Sequence, residues 1–291
     1  MIEYQLLRAK SLNEALEILE SKQNIRCLAG GTDILVDLQH QDDFFDNVDY
    51  LLDINSIEEL KGIKLGDKVG EIGSLTTHSE IINNKELQEK LPFVAAAAAS
   101  IGSTQIRNRA TIGGNLVNAA ACADSFSPMI ALEAEVVLAS KRGERSLSIR
   151  DFIKSPYNTV LAEDELLKKI VFPMPQGEYY SSYQKIGRRK AVSISRISLT
   201  LLAEVEENII NKIQVVSGAA TPSPVPFEKV NNYLRFKNLA EVNSKEAGKI
   251  AAEEMVEITG KRWSTPYKQP ALSKLVERAV EDMLEEAGYN G

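Results

Sequence analysis

The stretch Ile25-Arg26-Cys27-Leu28-Ala29-Gly30-Gly31-Thr32-Asp33 carries the reading on which the fold turns. A short, largely apolar run ends in two glycines and a Thr-Asp pair. Adjacent glycines adopt positive φ without steric cost and bring backbone N–H groups close to a ligand. Consecutive N–H groups in such a turn form a concavity that favours anions. Strand (Ile25 to Ala29), glycine turn and helix start (Asp33 to Leu38) resemble half of an α/β nucleotide unit. The absence of G-x-G-x-x-G disfavours a Rossmann site. A second pair stands in Thr111-Ile112-Gly113-Gly114-Asn115, after the polar stretch Ser103 to Arg109. One Gly-Gly is an ordinary turn. Two, each flanked by hydroxyl, Asp or Asn side chains, point to a nucleotide held between two loops.

Composition narrows the possibilities. At 291 residues the chain has room for one large domain or two ordinary ones. With 44% hydrophobic and 26% charged residues it can build a normal core. A net charge of −7 argues against a general nucleic-acid partner, although a local basic cluster runs from Lys185 to Lys190. No run approaches the roughly twenty apolar residues of a membrane helix, and Ala95 to Ala99 is bounded by Pro92 and Gly102. Met1-Ile2-Glu3-Tyr4 lacks a signal-peptide pattern, so a cytoplasmic location is expected. The 2 cysteines, Cys27 and Cys122, are too few for an iron–sulfur cluster and are read as free thiols. His40 and His78 do not stand at ligand spacing from them, so no metal site is expected. Any redox role must use a borrowed cofactor.

The chain reads as α+β. Ser11-Leu12-Asn13-Glu14 is a capping box, and Leu12, Ala15, Leu16 and Leu19 then form one helical face. Tyr50 to Ile54 is a strand, and Ser56 is expected to cap a short helix after it. Short strands at Val69 to Gly73, Glu135 to Ala139, Arg145 to Ser148 and Leu166 to Phe172 follow, with helices at Thr77 to Asn83 and Pro92 to Ser100. Lys141-Arg142-Gly143-Glu144 is a hairpin turn. Pro173-Met174-Pro175-Gln176-Gly177 is the linker. Beyond it, Tyr179 to Gly187, Ile194 to Val205 and Ile209 to Gly218 read as three antiparallel strands, with Pro222, Pro224 and Pro226 stopping the sheet. Helices are expected at Phe227 to Leu234, Ser244 to Thr259 and Pro270 to Ala287. The domains are then 1–173, with subdomains of about 1–55 and 56–173, and 178–291, with its sheet at 179–218 and helices at 227–288.

Within Gln105 to Ala119, amide, hydroxyl and backbone N–H donors crowd together, which suits phosphate and ribityl oxygens. A self-satisfied polar turn is the competing reading. Asp124 could accept from a ribose or ribityl hydroxyl, or cap a helix starting near Pro128. No Ser/His/Asp or Cys/His arrangement is visible, so no catalytic residue is expected. His40 and His78 read as surface or capping residues.

Together, A-G-G-T-D and Q-I-R-N-x-A-T-I-G-G-N-L resemble the FAD-binding medium subunit of the molybdenum hydroxylase family, to which bacterial xanthine, carbon monoxide and nicotinate dehydrogenases belong. The likeness extends over the chain, including Tyr183-Gln184-Lys185-Ile186-Gly187-Arg188-Arg189-Lys190 and Gly218-Ala219-Ala220-Thr221-Pro222. Leu28 to Leu35 looks most like the separate xanthine dehydrogenase subunit.

The resemblance implies a two-subdomain PCMH-type FAD-binding domain, followed by a C-terminal domain of three-stranded antiparallel sheet plus helices. It implies that Cys27, Leu28, Ala29, Gly30, Gly31, Thr32, Asp33 and Ile34 wrap the FAD pyrophosphate. Thr111, Gly113, Gly114 and Asn115 complete the cradle, and Asp124 binds ribose or ribityl hydroxyls. Leu167 packs on the flavin or adenine side. Lys185 approaches the isoalloxazine ring, where a cation stabilises the reduced anion. Ile101 falls where some relatives place a stacking aromatic, and it offers shape without π contact. Ala191 and Val192 stand where eukaryotic relatives carry acidic residues. The basic run Arg188-Arg189-Lys190 suits either NAD phosphates or solvent.

The implied function is an electron-transfer subunit with non-covalent FAD and NAD+ as acceptor. Its 2Fe-2S clusters and molybdopterin would lie on an iron–sulfur subunit and a large molybdopterin-binding subunit, in a heterotrimer that dimerises. Hydroxylation, of a purine such as xanthine, would occur there. The alternatives are a self-contained PCMH-type flavin oxidoreductase and a non-enzymatic nucleotide-binding module.

Overall fold

A computed structural model describes residues 4–40, 48–189 and 192–289. The first unit contains β1 (Gln5–Arg8), α1 (Leu12–Ser21), β2 (Ile25–Leu28), α2 (Ile34–His40) and β3 (Tyr50–Asp53), with β3 between β1 and β2 in a parallel sheet. Ser11 Oγ accepts the Glu14 N–H at 3.2 Å and starts α1. The Glu14 carboxylate reaches back to the Lys10 N–H at 2.7 Å, one residue earlier than a capping box requires. Ala15, Leu16 and Leu19 then bury against Leu52, Ile54, Ile57 and Leu60. Ser56 does not cap the short turn Glu58–Leu60, whose N-cap is Ile57 with no side-chain bond. That turn is held instead by its own backbone, Leu60 N–H to Ile57 O and Lys61 N–H to Glu58 O.

The second unit runs through β4 (Ile63–Leu65), β5 (Val69–Gly73), α3 (His78–Asn83), α4 (Lys85–Lys90), α5 (Pro92–Ala99), α6 (Thr104–Arg107), α7 (Ile112–Asn118) and α8 (Phe126–Ala131). It continues with β6 (Glu135–Ser140), β7 (Gly143–Ser148), α9 (Ile149–Phe152), the hairpin β8 (Ile153–Ser155) and β9 (Asn158–Thr159), and β10 (Leu166–Pro173). Its antiparallel sheet has the order β4-β5-β10-β6-β7. Phe93, Phe126, Phe152 and Phe172 anchor the core on that sheet. Each buried side chain of this size contributes about 1.5–3 kcal/mol.

The last unit is β11 (Glu178–Gly187), β12 (Ser195–Glu206), β13 (Ile209–Ser217), β14 (Val225–Pro226), α10 (Glu228–Leu234), α11 (Ser244–Thr259) and α12 (Thr265–Glu286). Two expectations need correction here. The sheet has a fourth strand, β14, where Val225 and Pro226 pair with Ser217 and Val216. An edge strand tolerates proline because one side needs no donor. Helix α12 starts at Thr265, with proline in its first turn and Pro270 inside it. The apolar stripe Leu272, Leu275, Val276, Ala279, Val280 and Met283 continues the helical period beyond Pro270 and is buried.

Strand β12 is buried on both faces. Ile197, Leu199, Leu201, Ala203 and Val205 point to the helices α10 to α12. On the opposite face Leu202 joins the core of the second unit, and Thr200 Oγ1 donates to Ser127 Oγ in α8 at 3.0 Å. Period-two alternation thus places alternate residues of β11 and β12 against the second unit. Among the described residues no helix is long and apolar enough to cross a membrane. Nor do any His, Cys, Asp and Glu among them group to hold a metal ion.

Candidate functional site

The first glycine segment leaves the end of β2 under tight control. Asn55 Nδ2 donates to Ala29 O at 2.8 Å and lies 3.3 Å from Leu28 O, clamping the strand exit. Gly31 turns at φ +76°, which an L side chain adopts only with strain. A Cβ on Gly30 would stand 2.1 Å from Arg109 O and 2.9 Å from Ala110 Cα. The absence of that atom lets the first segment rest on the backbone that leads into the second. Among the described residues, the N–H groups of Gly30, Gly31, Thr32 and Asp33 meet no protein acceptor. They form a row of donors in a half-buried loop.

The second segment differs from the expected anion nest. Gly113 and Gly114 lie in the first turn of α7, and Thr111 is its N-cap, accepting the Gly114 N–H at 3.0 Å. The Ile112 N–H donates to Thr76 O and the Gly113 N–H to Ser74 O, at 3.0 and 2.8 Å. A Cβ on Gly113 would sit 2.6 Å from the Ser74 carbonyl oxygen. Gly113 is therefore a close-packing glycine, and the backbone donors of this turn are already engaged. The exposed Gly114 keeps the wall free of a side chain, and Asn115 Oδ1 accepts the Ser125 N–H at 3.4 Å.

Asp124 lies 5% exposed and is the hub of a polar cluster between the second and last units. Its Oδ2 accepts from Lys185 Nζ at 2.7 Å, and Lys185 also donates to Ser100 O at 2.9 Å. Its Oδ1 accepts from the Tyr183 hydroxyl at 2.7 Å and from Ser195 Oγ at 2.5 Å. Asp124 does not cap α8, whose N-cap Ser125 makes no side-chain bond. Burial, and next the Asp124 charge, push the Tyr183 hydroxyl well above its usual value, so it remains a donor. Tyr183 and Lys185 share one face of β11 at i and i+2, a pattern open to sequence reading. Asn55 and Ser195 had no comparable signal, since their partners are remote in sequence.

Leu167 is buried in the main core, opposite Leu138 on β6. Ile101 is half-buried, and its carbonyl accepts from Arg107 Nη1 at 3.0 Å. Cys27 and Cys122 are free. Burial pushes the Cys27 thiol up to about 12, with nearby Arg26 opposing. Burial and then Asp124 raise Cys122 as well. His78 is neither a cap nor a surface residue. Thr77 caps α3, and His78, its first helical residue, is 1% exposed with both ring nitrogens unpartnered. It lines a cavity of about 10 Å³ with Ser125 and Met129. Burial, and secondarily Arg107, bring its pKa down to about 4, so the ring is neutral. Arg188 N–H donates to Ser193 Oγ at 2.9 Å and Arg189 Nε to Val192 O at 2.7 Å. Lys190, Ala191 and the His40 side chain lie outside the described residues.

Free loop donors, a glycine wall and a buried carboxylate–lysine pair fit a flavin dinucleotide, and comparison with known proteins agrees. Residues 2–175 match the family model described as the FAD binding domain in molybdopterin dehydrogenase. Residues 181–283 match the CO dehydrogenase flavoprotein C-terminal domain. The chain is 35% identical over 220 residues to the xanthine dehydrogenase FAD-binding subunit of Escherichia coli O157:H7, covering 75% of this chain and 74% of that one. It is 31% identical over 281 residues to the glyceraldehyde dehydrogenase medium chain of Sulfolobus acidocaldarius, covering 97% and 98%. A chain of the solved carbon monoxide dehydrogenase of Hydrogenophaga pseudoflava matches with a TM-score of 0.88 at 26% identity, over 98% of this chain and 99% of that one. The chain therefore belongs to the FAD-binding medium subunits of the molybdenum hydroxylase family. It is a flavoprotein subunit of an oxidoreductase.

Proposed function

We propose that this chain is the electron-transfer subunit of a xanthine dehydrogenase-like complex in the cytoplasm. Its partners would be an iron–sulfur subunit and a large molybdopterin-binding subunit, in a heterotrimer that dimerises. FAD, when bound, would supply two-electron storage between the partner's 2Fe-2S clusters and NAD+. Hydroxylation, of a purine such as xanthine, would belong to the large subunit. Residues 1–173 would form the FAD-binding domain and 178–291 the C-terminal domain.

Within this reading the row Cys27 to Ile34 holds the pyrophosphate, through the N–H groups of Gly30 to Asp33 that meet no acceptor among the described residues. Thr111, Gly113, Gly114 and Asn115 form the opposing wall. Asp124 accepts from sugar or ribityl hydroxyls, and Lys185 brings positive charge to the flavin edge. Ile101 and Leu167 supply apolar surface. The observation that carries the reading is the close approach of Gly30 to the Arg109–Ala110 backbone, which joins the two glycine segments into one site. Purified with added FAD, the chain is expected to carry one flavin per polypeptide, released on denaturation, and to oxidise NADH with an artificial acceptor. A colourless chain that ignores FAD overturns the reading. Flavin binding without NADH oxidation removes the nicotinamide assignment alone.

A further inference from the structure

Strand β12 would turn Ser195 away from the candidate site if its alternation ran unbroken. Ile197, Leu199 and Leu201 point to the helices, and Ser195 stands at the same parity. The pairing with β11 breaks that parity. Lys185 lies opposite Ser198 and Ile186 opposite Ile197, but Gly187 lies opposite Ser195, so Arg196 is an extra residue that opposes none in β11. A bulge of this kind re-aims the side chains beside it. Ser195 consequently faces the second unit together with Tyr183 and Lys185, and its hydroxyl reaches Asp124 Oδ1 at 2.5 Å. The displaced Arg196 rests with its guanidinium carbon 5.6 Å from the centre of the Tyr267 ring in α12.

The effect of that bulge is visible in the count of donors and acceptors. A carboxylate offers about four acceptor positions, and an ammonium about three donors. Asp124 Oδ1 accepts from both Ser195 and Tyr183, which fills it. Oδ2 accepts from Lys185 Nζ at 2.7 Å, and Lys185 donates a second N–H to Ser100 O at 2.9 Å. Among the described residues, one acceptor position on Oδ2 and one Lys185 N–H thus meet no protein partner, and they stand on neighbouring atoms. The buried carboxylate cannot rotate without breaking the bonds to Ser195, Tyr183 and Lys185.

We propose that Ser195 and Tyr183 are positioning residues for the cofactor. By filling Oδ1 they fix the carboxylate, so that Asp124 Oδ2 and the Lys185 ammonium present one acceptor beside one donor to FAD. This rests on the reading of the chain as a FAD-binding subunit. Its test uses the full chain stripped of flavin and titrated with FAD, followed by flavin fluorescence, with the midpoint potential of the bound flavin measured alongside. Ser195→Ala and Tyr183→Phe each remove one hydroxyl. Each is expected to weaken FAD binding by about fivefold or more. Each should also lower the midpoint potential, because a carboxylate with one donor fewer holds Lys185 harder and leaves less positive field for the reduced flavin. In an Asp124→Asn background, Ser195→Ala should weaken binding by less than about twofold further, since it acts through the carboxylate. Unchanged affinity and potential in both single variants, with only the flavin-free melting temperature lowered, overturn the proposal, because the hydroxyls would then serve the fold alone. Full weakening by Ser195→Ala in the Asp124→Asn background overturns it too, since Ser195 would then act without Asp124. Tyr183→Phe keeps the ring and its packing, so it decides the matter even where Ser195→Ala does not fold. Failure of the natural chain to bind FAD defeats the underlying reading instead.

Discussion

At the scale of single residues, a buried imidazole with no hydrogen-bond partner makes stability depend on pH. His78 is held near 4, mainly by burial and secondarily by Arg107, against 6.5 in the unfolded chain. Between those values the unfolded state binds a proton that the folded state refuses. Stability is therefore complete above 6.5 and falls as the pH drops towards 4. The loss is about 3 kcal/mol. Urea midpoints measured from pH 7 to pH 4 should show this slope, and His78→Leu should flatten it. A second residue-scale prediction concerns Lys185, whose side chain is 13% exposed against 6% for Asp124. Lys185→Ala leaves a buried carboxylate without its cation, and the expected cost is about 3 kcal/mol in equilibrium unfolding. Adding Asp124→Asn should recover part of it, and a purely additive double variant would remove the coupling.

Elements show what the sequence made legible and what it hid. The start of α3 was expected at Thr77, and there the capping box Thr77-x-x-Glu80 has both of its reciprocal bonds. That expectation said nothing about the direction of His78, which depends on α5 and α8 packing around it. Gly113 and Gly114 read as a turn because glycine weakens a helix by about 1 kcal/mol per residue. The competing force was the Ser74 backbone, within 2.6 Å of any Cβ at Gly113, and no local pattern reveals that contact. Pro270 was read as a helix start from proline's usual preference, yet the buried stripe beyond it held the helix together. By contrast, β5 and α11 were readable to the residue, because period and flanking breakers agreed. Thr77 also bridges Thr111 across the second glycine segment. Thr77→Ala should cost about 1 kcal/mol by loss of the cap, read as a shift of the urea midpoint. Thr77→Ser, which keeps the hydroxyl, should recover most of it.

Over the whole molecule, the sheet from β11 to β14 serves two cores. One face carries Ile197, Leu199 and Leu201 to the helices, and the other lends Leu202 and Val216 to the core built on Phe93 and Phe126. Composition had indicated one large domain or two ordinary ones, but not that a single sheet would be shared between them. The Asp124 cluster adds polar ties across the same boundary, from Lys185, Tyr183 and Ser195. Separating the units would strand a buried carboxylate and uncover apolar surface on α5 and α8, so each unit stabilises the other. The full chain should then melt in one calorimetric transition whose van't Hoff and calorimetric enthalpies agree. Leu202→Asp would put a charge into the shared boundary at a cost of several kcal/mol, to order of magnitude. It should lower that transition or split it. Two resolved transitions in the unaltered chain would mean that the units fold independently and that the shared sheet does not couple them.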